Sequence, residues 1–336
     1  MTLPARSLGA LTVSAIGLGC MNLSHGYGVP PSDADGIALL NRALDLGVTL
    51  LDTAALYGLG ANERLIGKAV MHRRAEFVLA SKCVLDVVDG TRTLDGSPAA
   101  IARTLDGALD RLGTDHIDLY YLHRLDPRVP IEESVGALVR AKEAGKIGAI
   151  GLSEMSAPIV RRAHAVHPIA AVQSEYSPMV RNPEVAVLDT CRELCIGFVA
   201  FSPLARGLLA GAVRCDDYVE GDIRRAMPRF VEPNLSHNLK AVDTFEDIAR
   251  ALGWTPAQLS LAWVLSRGEN VVAIPGTRSI AHLEEDVAAA ALDLPADMAD
   301  RVAALFAQGA VRGARYSAAM QAQIATELLP DEELAG

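Results

Sequence analysis

The segment GVTLLDTAALYG, residues 47–58, carries the pattern on which the fold prediction rests. It begins as an apolar run, and a strand of that kind is buried on both faces, as in a parallel sheet. Asp52 interrupts the run as it ends, and Tyr57 follows five residues later in a predicted loop. Two interpretations are open here. Asp52 could cap the next helix while Tyr57 packs against backbone, or both could belong to a reactive site.

Apolar runs of the same kind recur along the chain and alternate with amphipathic stretches. With VTLLDT there are eight: AIGLGC, VTLLDT, FVLASK, IDLYYLH, GAIGLS, AAVQSEY, GFVAFSPL and VVAIPGT. Helical spacing appears between them, for example in DADGIALLNRALDLG, SPAAIARTLDGALDRLG, IEESVGALVRAKEAG and PEVAVLDTCRELC. Glycines such as Gly47, Gly113 and Gly145 mark helix ends. The alternation predicts an α/β fold, a closed (β/α)8 TIM barrel.

The same pattern predicts one domain over residues 1–336, since no linker or low-complexity segment divides the chain. A doubly wound fold is disfavoured because GLGCMN lacks the third glycine of a dinucleotide-binding fingerprint. LPARSLGALTV, with a turn at Gly9, predicts a short N-terminal hairpin that closes the barrel. Residues 207–236 predict a long loop on the C-terminal face that covers substrate. The tail after about Gln308 is predicted to be partly ordered and to fray in PDEELAG.

Composition limits the possible classes of protein. The 336 residues are 50% hydrophobic and carry a net charge of −10 without a basic block, which argues against a nucleic-acid partner. The sequence contains no run of about 18 apolar residues, so no membrane span is predicted. The N-terminus lacks a signal-peptide pattern. Five scattered cysteines fit a reducing cytoplasm, and their spacing predicts no metal site. Oligomeric state is not readable from the sequence.

Polar residues stand at the ends of three successive predicted strands. Asp52 ends the second, Lys82 the third and His123 the fourth. Strand ends in a barrel converge on one face, so these residues and Tyr57 are expected to meet. A lysine beside a tyrosine favours the phenolate and lowers its pKa from about 10. Asp52 would keep Lys82 charged, and His123 could bind a substrate oxygen. The set suits protonation of a carbonyl oxygen while another group delivers hydride.

The chain resembles an aldo-keto reductase. The resemblance runs from about residue 8 to residue 292. Its motifs are GLGCM, LDTAALYG, NERLIGKA, LASK, RLGTDHIDLYYLHR, GKIGAIGLSE, VQSEYS, FSPLARGLL and IPGTRSIAHLEED. LHRLDPRVPIEESV and CRELCIGFVAFSPLARG are similar to the branch with perakine reductase and the auxin-induced-type reductases.

The resemblance implies an NADP-dependent oxidoreductase (EC 1.1.1.-) that reduces a small aldehyde or ketone with NADPH. It implies the catalytic tetrad Asp52, Tyr57, Lys82 and His123, with Tyr57 as general acid. The implied cofactor-binding residues are Gly19, Cys20, Met21, Asp52, Ser153, Gln173, Phe201, Ser202, Leu204, Arg206, Gly207, Gly276, Thr277, Arg278, His282, Glu285 and Asp286.

Within that set, Ser153 and Gln173 are implied to bind the nicotinamide carboxamide, and Phe201 to stack on the ring. The residues of this set from Gly276 onward are implied to surround the adenosine and its 2′-phosphate. IPGTRS also favours phosphate on physical grounds, because a helix start offers backbone N–H groups and Arg278 adds a guanidinium. Glu154 and Asp286 stand where many relatives have Asn, and His282 where some have Arg.

Two other functions stay open at this stage. A cofactor-binding redox sensor or regulatory subunit on the same scaffold would show little turnover. A non-redox sugar-phosphate barrel would leave Tyr57 and Lys82 without a role. The sequence does not name the substrate, and Met21, Leu56 and Arg124 are expected to influence its choice.

Overall fold

The computed structural model describes residues 3–330 and 332–335, and its centre is a sheet of eight parallel strands. The strands in chain order are β1 (Ala5–Leu8), β2 (Leu11–Ser14), β3 (Leu18–Gly19), β4 (Leu50–Asp52), β5 (Val78–Cys83), β6 (Leu85–Val88), β7 (Thr91–Leu94), β8 (Ile117–Leu122), β9 (Ile147–Ser153), β10 (Ala171–Glu175), β11 (Gly197–Phe201) and β12 (Val271–Ile274). The predicted (β/α)8 barrel is confirmed, because each predicted apolar run contains one barrel strand.

The barrel sheet has the order β3-β4-β5-β8-β9-β10-β11-β12, and its two edges meet. Ile16, just before β3, pairs in parallel with Ala273 of β12. The Gly17 N–H donates to the Ala273 carbonyl at 2.9 Å, and the Ala273 N–H donates to the Ala15 carbonyl at 3.0 Å. These contacts close the sheet, so its strands share a rim at their carboxyl ends.

Helices surround the barrel, and the last three follow its final strand. The helices are α1 (Asp33–Asp45), α2 (Ala61–Val70), α3 (Pro98–Leu112), α4 (Ile131–Glu143), α5 (Ala157–Val166), α6 (Val187–Glu193), α7 (Asn234–Ala251), α8 (Pro256–Leu265), α9 (Ile280–Ala288), α10 (Ala296–Leu305) and α11 (Ala318–Gln321).

The local sequence explains where α3 begins and ends. The Ser97 side chain accepts the Ala100 N–H at 3.3 Å, Pro98 takes the first turn, and Gly113 ends the helix at φ 69°. The predicted helix over PEVAVLDTCRELC is only partly correct, since a separate 3₁₀ turn over Asn182–Glu184 precedes α6.

The predicted N-terminal hairpin is confirmed as β1 and β2, joined through Gly9 at φ 59°. Leu8 and Val13 are buried among side chains from inside the barrel, including Tyr121 and Val199. The hairpin fills the end of the barrel like a plug. A methyl group on Gly197 would lie 2.3 Å from Leu8 Cδ2, so this plug leaves no room for a side chain at position 197. The hairpin therefore closes the barrel at the amino ends of its strands.

A second hairpin, β6 with β7, lies between β5 and α3 and was not predicted. Asp89 and Gly90 form its two-residue turn with φ values of 51° and 75°. Asp-Gly is a strong signal for such a turn, because both central residues need positive φ. The hairpin stands at the carboxyl end of β5, so it extends the wall of the barrel mouth.

The C-terminal tail packs against the barrel, so the prediction that it is only partly ordered is wrong. Arg315 and Tyr316 are buried, and the Ala325 N–H donates to the Glu154 carbonyl at 3.1 Å. Asn182 binds the Glu332 carboxylate at 2.5 Å. Asp331 and Gly336 of the segment expected to fray lie outside the described residues. None of the described helices has the length and apolar character that crossing a membrane requires.

Candidate active site

A cavity of about 850 Å³ opens at the carboxyl ends of the barrel strands. It collects residues that stand far apart in the chain, because strand ends converge there. Of the residues predicted to be catalytic, it is lined by Asp52, Tyr57 and His123. Of those predicted for the cofactor, it is lined by Gly19, Met21, Asp52, Ser153, Gln173, Phe201, Ser202, Leu204, Arg206, Gly207, Gly276, Thr277, Arg278, His282, Glu285 and Asp286.

Lys82 lies directly behind the cavity wall and joins Asp52 to Tyr57. Its ammonium group donates to the Asp52 carboxylate and, at 2.8 Å, to the Thr53 carbonyl. The Tyr57 hydroxyl lies 3.4 Å from Lys82 Nζ. Asp52 and Lys82 are buried, and adjacent strands β4 and β5 hold them in place. A buried ammonium group requires such a counter-charge and full hydrogen bonding.

Tyr57 is held by a 3₁₀ turn over Tyr57–Gly60 rather than by a strand. Gly58 follows it at φ 56°, where a methyl group would lie 3.1 Å from Ser24 Cβ and 3.2 Å from Ala61 Cβ. The turn thus depends on a residue without a side chain immediately after Tyr57. It places the phenol over the cavity, with its ring centroid 6.0 Å from that of His123 and nearly perpendicular to it.

Burial raises the pKa of Tyr57 above its ordinary value, and the Lys82 charge opposes this rise. The sequence predicted that Lys82 would lower this pKa. The lysine acts in that direction, but desolvation outweighs it, so the expected net direction is wrong. Burial also lowers the pKa of Lys82, but Asp52 and Tyr57 together raise it above its ordinary value. The phenol and the ammonium group therefore both keep their protons at neutral pH.

His123 is uncharged at neutral pH. Burial lowers the pKa of its imidazole well below the ordinary value, and the charges of Arg124, Lys82 and Arg92 act in the same direction. A neutral imidazole retains one N–H for donation. At this position it can bind an oxygen beside Tyr57 without transferring a proton.

Gln173 connects the buried pair to the neighbouring part of the cavity. Its side-chain amide donates to the second Asp52 oxygen at 2.8 Å, so both oxygens of that carboxylate are occupied. Gln173 and Ser153 stand on adjacent strands at paired positions. They line the cavity together with Phe201, whose ring is partly exposed at the end of β11.

The middle of the cavity contains a paired cation. Arg206 donates to the buried Glu175 carboxylate at 2.8 Å and to the Tyr27 hydroxyl at 2.9 Å. Tyr316 from the tail also donates to Glu175. Burial would raise the pKa of Glu175, but Arg206, Arg315 and the Tyr316 hydroxyl hold it below its ordinary value. The carboxylate thus stays charged and fixes the arginine.

The far end of the cavity lies at the start of α9. The side chain of Ser279 caps this helix by accepting the His282 N–H at 3.4 Å. Arg278 is exposed, and its guanidinium reaches the Val29 carbonyl across the cavity. Asp286 is buried, and burial together with nearby Glu285 raises the pKa of its carboxyl well above the ordinary value.

The long loop after β11 crosses the cavity. The Ile223 N–H donates to the Gly26 carbonyl at 3.0 Å, and the Gly28 N–H donates to Asp222 at 3.1 Å. Arg224 pairs with Asp222 at 2.7 Å. The loop therefore lies on the predicted catalytic face and joins the segment after β3, beside the cavity residue Gly207.

Besides Lys82, two residues of the predicted site do not line the cavity. Cys20 is fully buried, because the 3₁₀ turn that it begins directs its thiol to the Leu18 carbonyl at 3.6 Å, and this corrects its predicted place in the cofactor site. The Glu154 carboxylate accepts the Glu175 N–H at 2.7 Å and faces Arg315 at 3.9 Å. Arg315 of the tail thus faces the Glu154 carboxylate, and this side chain does not line the cavity.

Other residues line the cavity although the sequence analysis did not name them individually. They are Asn22, His25, Tyr27, Val29, Pro31, Arg92, Pro203, Ala210, Ala212, Ile223, Arg224, Ala257, Ile274, Pro275, Ser279, Tyr316 and Met320. Most of them belong to loops, and the residues that they contact are distant in the sequence, so a local pattern does not indicate them. Ala210, Ala212, Ile223 and Arg224 lie in the loop that was predicted to cover substrate. The Asp89-Gly90 turn was the signal that could have indicated Arg92.

Comparison with known proteins agrees with this arrangement. The model of the Aldo/keto reductase family matches residues 15–307. The chain is 44% identical over 324 residues to the aldo-keto reductase yakc of Schizosaccharomyces pombe, whose name specifies NADP(+), covering 94% of this chain and 95% of that one. The chain therefore belongs to the aldo/keto reductase family.

Solved structures resemble it over nearly the whole chain. The glycerol dehydrogenase AKR11B4 from Gluconobacter oxydans is 29% identical with a TM-score of 0.83, covering 90% of this chain and 95% of that one. An aldo/keto reductase from Klebsiella pneumoniae, solved in complex with NADP and acetate, is 28% identical with a TM-score of 0.72, covering 94% and 99%.

Proposed function

We propose that this protein is an NADPH-dependent reductase that converts a small aldehyde or ketone to the alcohol. The observation that carries the proposal is the placement of the Tyr57 hydroxyl, which faces the cavity and lies 3.4 Å from the buried Lys82 ammonium group. Family membership and the NADP(+) named for the S. pombe relative support the same activity and cofactor.

The cavity residues fit a phosphorylated dinucleotide. Cations stand along it at Arg206, Arg224 and Arg278. The Ser153 hydroxyl and the Gln173 amide can form hydrogen bonds with a carboxamide. Phe201 offers a ring face for stacking. Arg278 at the start of α9 would hold the 2′-phosphate. When bound, NADPH supplies the hydride that adds to the carbonyl carbon of the substrate.

Tyr57 would donate the proton. As hydride adds to carbon, the π electron pair of the carbonyl moves to oxygen, and that oxygen takes the phenolic proton. The phenol keeps this proton at neutral pH because burial raises its pKa. The phenolate that remains is stabilised by the Lys82 charge, which Asp52 holds in position.

His123 would position the carbonyl oxygen. Its neutral imidazole can donate one hydrogen bond, and its ring stands at the edge of Tyr57. Since its pKa lies well below the ordinary value, it does not compete as a proton donor. The two groups thus take separate tasks: Tyr57 transfers the proton, and His123 fixes the acceptor.

The test is to follow the loss of NADPH absorbance with a panel of simple aldehydes and ketones. Steady turnover that saturates with substrate is expected. NADPH binding without turnover of any carbonyl compound would contradict the reductase and favour the redox-sensor alternative. Tight binding of NADPH, measured by fluorescence in the absence of substrate, is expected in either case and controls for a misfolded preparation.

A further inference from the structure

Two arginines stand at the reactive end of the cavity, beside Tyr57 and His123. Arg92 comes from the β6–β7 hairpin, and Arg124 directly follows His123. Both line the cavity. Arg124 is 7% exposed, so its guanidinium is almost wholly removed from bulk water.

Neither arginine forms an ion pair with a carboxylate of residues 3–330 or 332–335. Arg124 donates to the His123 carbonyl at 2.6 Å and the Ser153 hydroxyl at 3.3 Å, while its Nε is buried without a partner. Arg92 Nε is also buried and unpartnered. A charge removed from water without a counter-charge is costly, so the buried Arg124 and the half-buried Arg92 are poised for an anion.

Two other cavity arginines, in the middle of the cavity, differ in this respect. Arg206 is paired with Glu175 at 2.8 Å, and Arg224 with Asp222 at 2.7 Å. The protein thus neutralises cations along the middle of the cavity and leaves the pair at the reactive end uncompensated. A cofactor whose phosphates lie toward Arg206 and Arg278 would not reach them.

The basic groups at this end act on one another. Burial lowers the pKa of Arg92, and the charge of Arg124 lowers it further. Burial and the Arg92 charge lower the pKa of His25, and both arginines act in the same way on His123. The nearby carboxylate, Asp52, is already engaged by Lys82 and Gln173. An anion entering here would relieve the repulsion.

We propose that the preferred substrate is an aldehyde or ketone with an anionic group, a carboxylate or a phosphate, that binds Arg92 and Arg124 while its carbonyl oxygen lies at Tyr57. This inference rests on the proposed reductase function and specifies its substrate class. A guanidinium offers a planar pair of donors that matches either group. The hairpin turn at Asp89 and Gly90 is then a specificity element, since it carries one of the two arginines.

The test compares substrates that differ in charge and little in shape. The carboxylate pair is 4-formylbenzoate and 4-formylbenzamide, and the phosphate pair is glyceraldehyde 3-phosphate and glyceraldehyde. The amide activates its aldehyde more than the carboxylate does, so intrinsic reactivity works against the proposal. In at least one pair, kcat/KM is expected to be about 10- to 100-fold higher for the anion, the range for a charge-assisted contact.

The variants locate the preference. Arg92→Met is expected to lower the anion-to-neutral ratio of kcat/KM by about 10-fold or more, and Arg92→Lys to restore part of it. Arg103→Met is the matched control. Arg103 is exposed on α3 away from the cavity, and its substitution removes the same positive charge. If Arg103→Met lowers the ratio as much as Arg92→Met, the preference comes from the overall field and the proposal fails.

The outcomes separate this inference from the proposed function. Turnover of all four compounds with equal kcat/KM within each pair would overturn the anionic substrate and leave the reductase intact. No turnover of any compound would overturn the reductase itself. A preference for only the carboxylate or only the phosphate would support the proposal and identify the anion. An Arg92→Met variant that keeps the full preference would overturn the proposal.

Discussion

The two ends of the cavity use charge in different ways. At the reactive end, Lys82 and Asp52 are buried on adjacent strands, and the ammonium group donates to the Asp52 carboxylate and the Thr53 carbonyl. At the far end, Arg278 and His282 are exposed at the start of a helix. Interactions in low dielectric are strong and depend on the partner, while exposed ones are screened by water and salt. Changes at the first end should abolish chemistry, and changes at the second should adjust affinity.

The largest effect is expected for Tyr57→Phe, which removes the proton donor and keeps the ring. Reduction of an unactivated aldehyde should fall by about 10²- to 10⁴-fold, the contribution of a general acid, while NADPH still binds. Tyr218→Phe is the control, because its hydroxyl contacts the Phe230 carbonyl and does not line the cavity. Steady-state kinetics at wild-type rate for Tyr57→Phe would exclude this residue as the acid.

Lys82→Met should lower kcat by about 10²-fold, because the phenolate loses its stabilising charge. It also leaves Asp52 buried without its partner, so thermal unfolding must be measured alongside kinetics. Asp52→Asn should be milder, since Lys82 keeps Tyr57 and the Thr53 carbonyl as partners. If Asp52→Asn proves the more damaging change in a protein of equal stability, the support of Tyr57 is assigned to the wrong residue.

At the exposed end, Arg278→Ala should weaken NADPH binding by about 10- to 100-fold and leave NADH nearly unchanged. The reason is that NADH lacks the 2′-phosphate. Fluorescence titration of both cofactors measures the difference, and His282→Ala should show a smaller effect of the same kind. Equal weakening of both cofactors by Arg278→Ala would mean that its contact with the Val29 carbonyl is structural.

The smallest effect is expected from pH. Tyr57 must be protonated to act, and its raised pKa keeps the active form present until the pH passes about 10. His123 must be neutral, and its lowered pKa keeps that form present well below pH 6.5. The kcat/KM for reduction should therefore be flat between these limits and fall only above about pH 10. A midpoint near pH 8 would show that Lys82 outweighs burial after all.

The reactive end was predictable from sequence, and the reason is geometric. Asp52, Lys82 and His123 each interrupt an apolar run where a strand ends, so local pattern and barrel topology together bring them into one place. Tyr57 follows at short range. The strand positions follow from the alternation, the N-terminal hairpin from the turn at Gly9, and the family from its resembling motifs.

The surrounding wall was not predictable in this way. Arg92 lies on a hairpin that was not predicted, and Tyr316 belongs to a tail expected to be partly ordered. Glu175 contacts Arg206 and Tyr316, which are distant in sequence and outside the strand pattern. The direction of the Tyr57 pKa also depends on burial, which spacing alone does not provide.

The plug formed by the N-terminal hairpin has a consequence for synthesis on the ribosome. Gly197, which lies against Leu8, emerges from the ribosome almost two hundred residues after the hairpin. At about 5–20 residues per second, Leu8 and Val13 wait roughly 10–40 s for the interior that covers them. During that time these two apolar side chains lack their partners, so nascent chains should bind chaperones more strongly before β11 appears than after it.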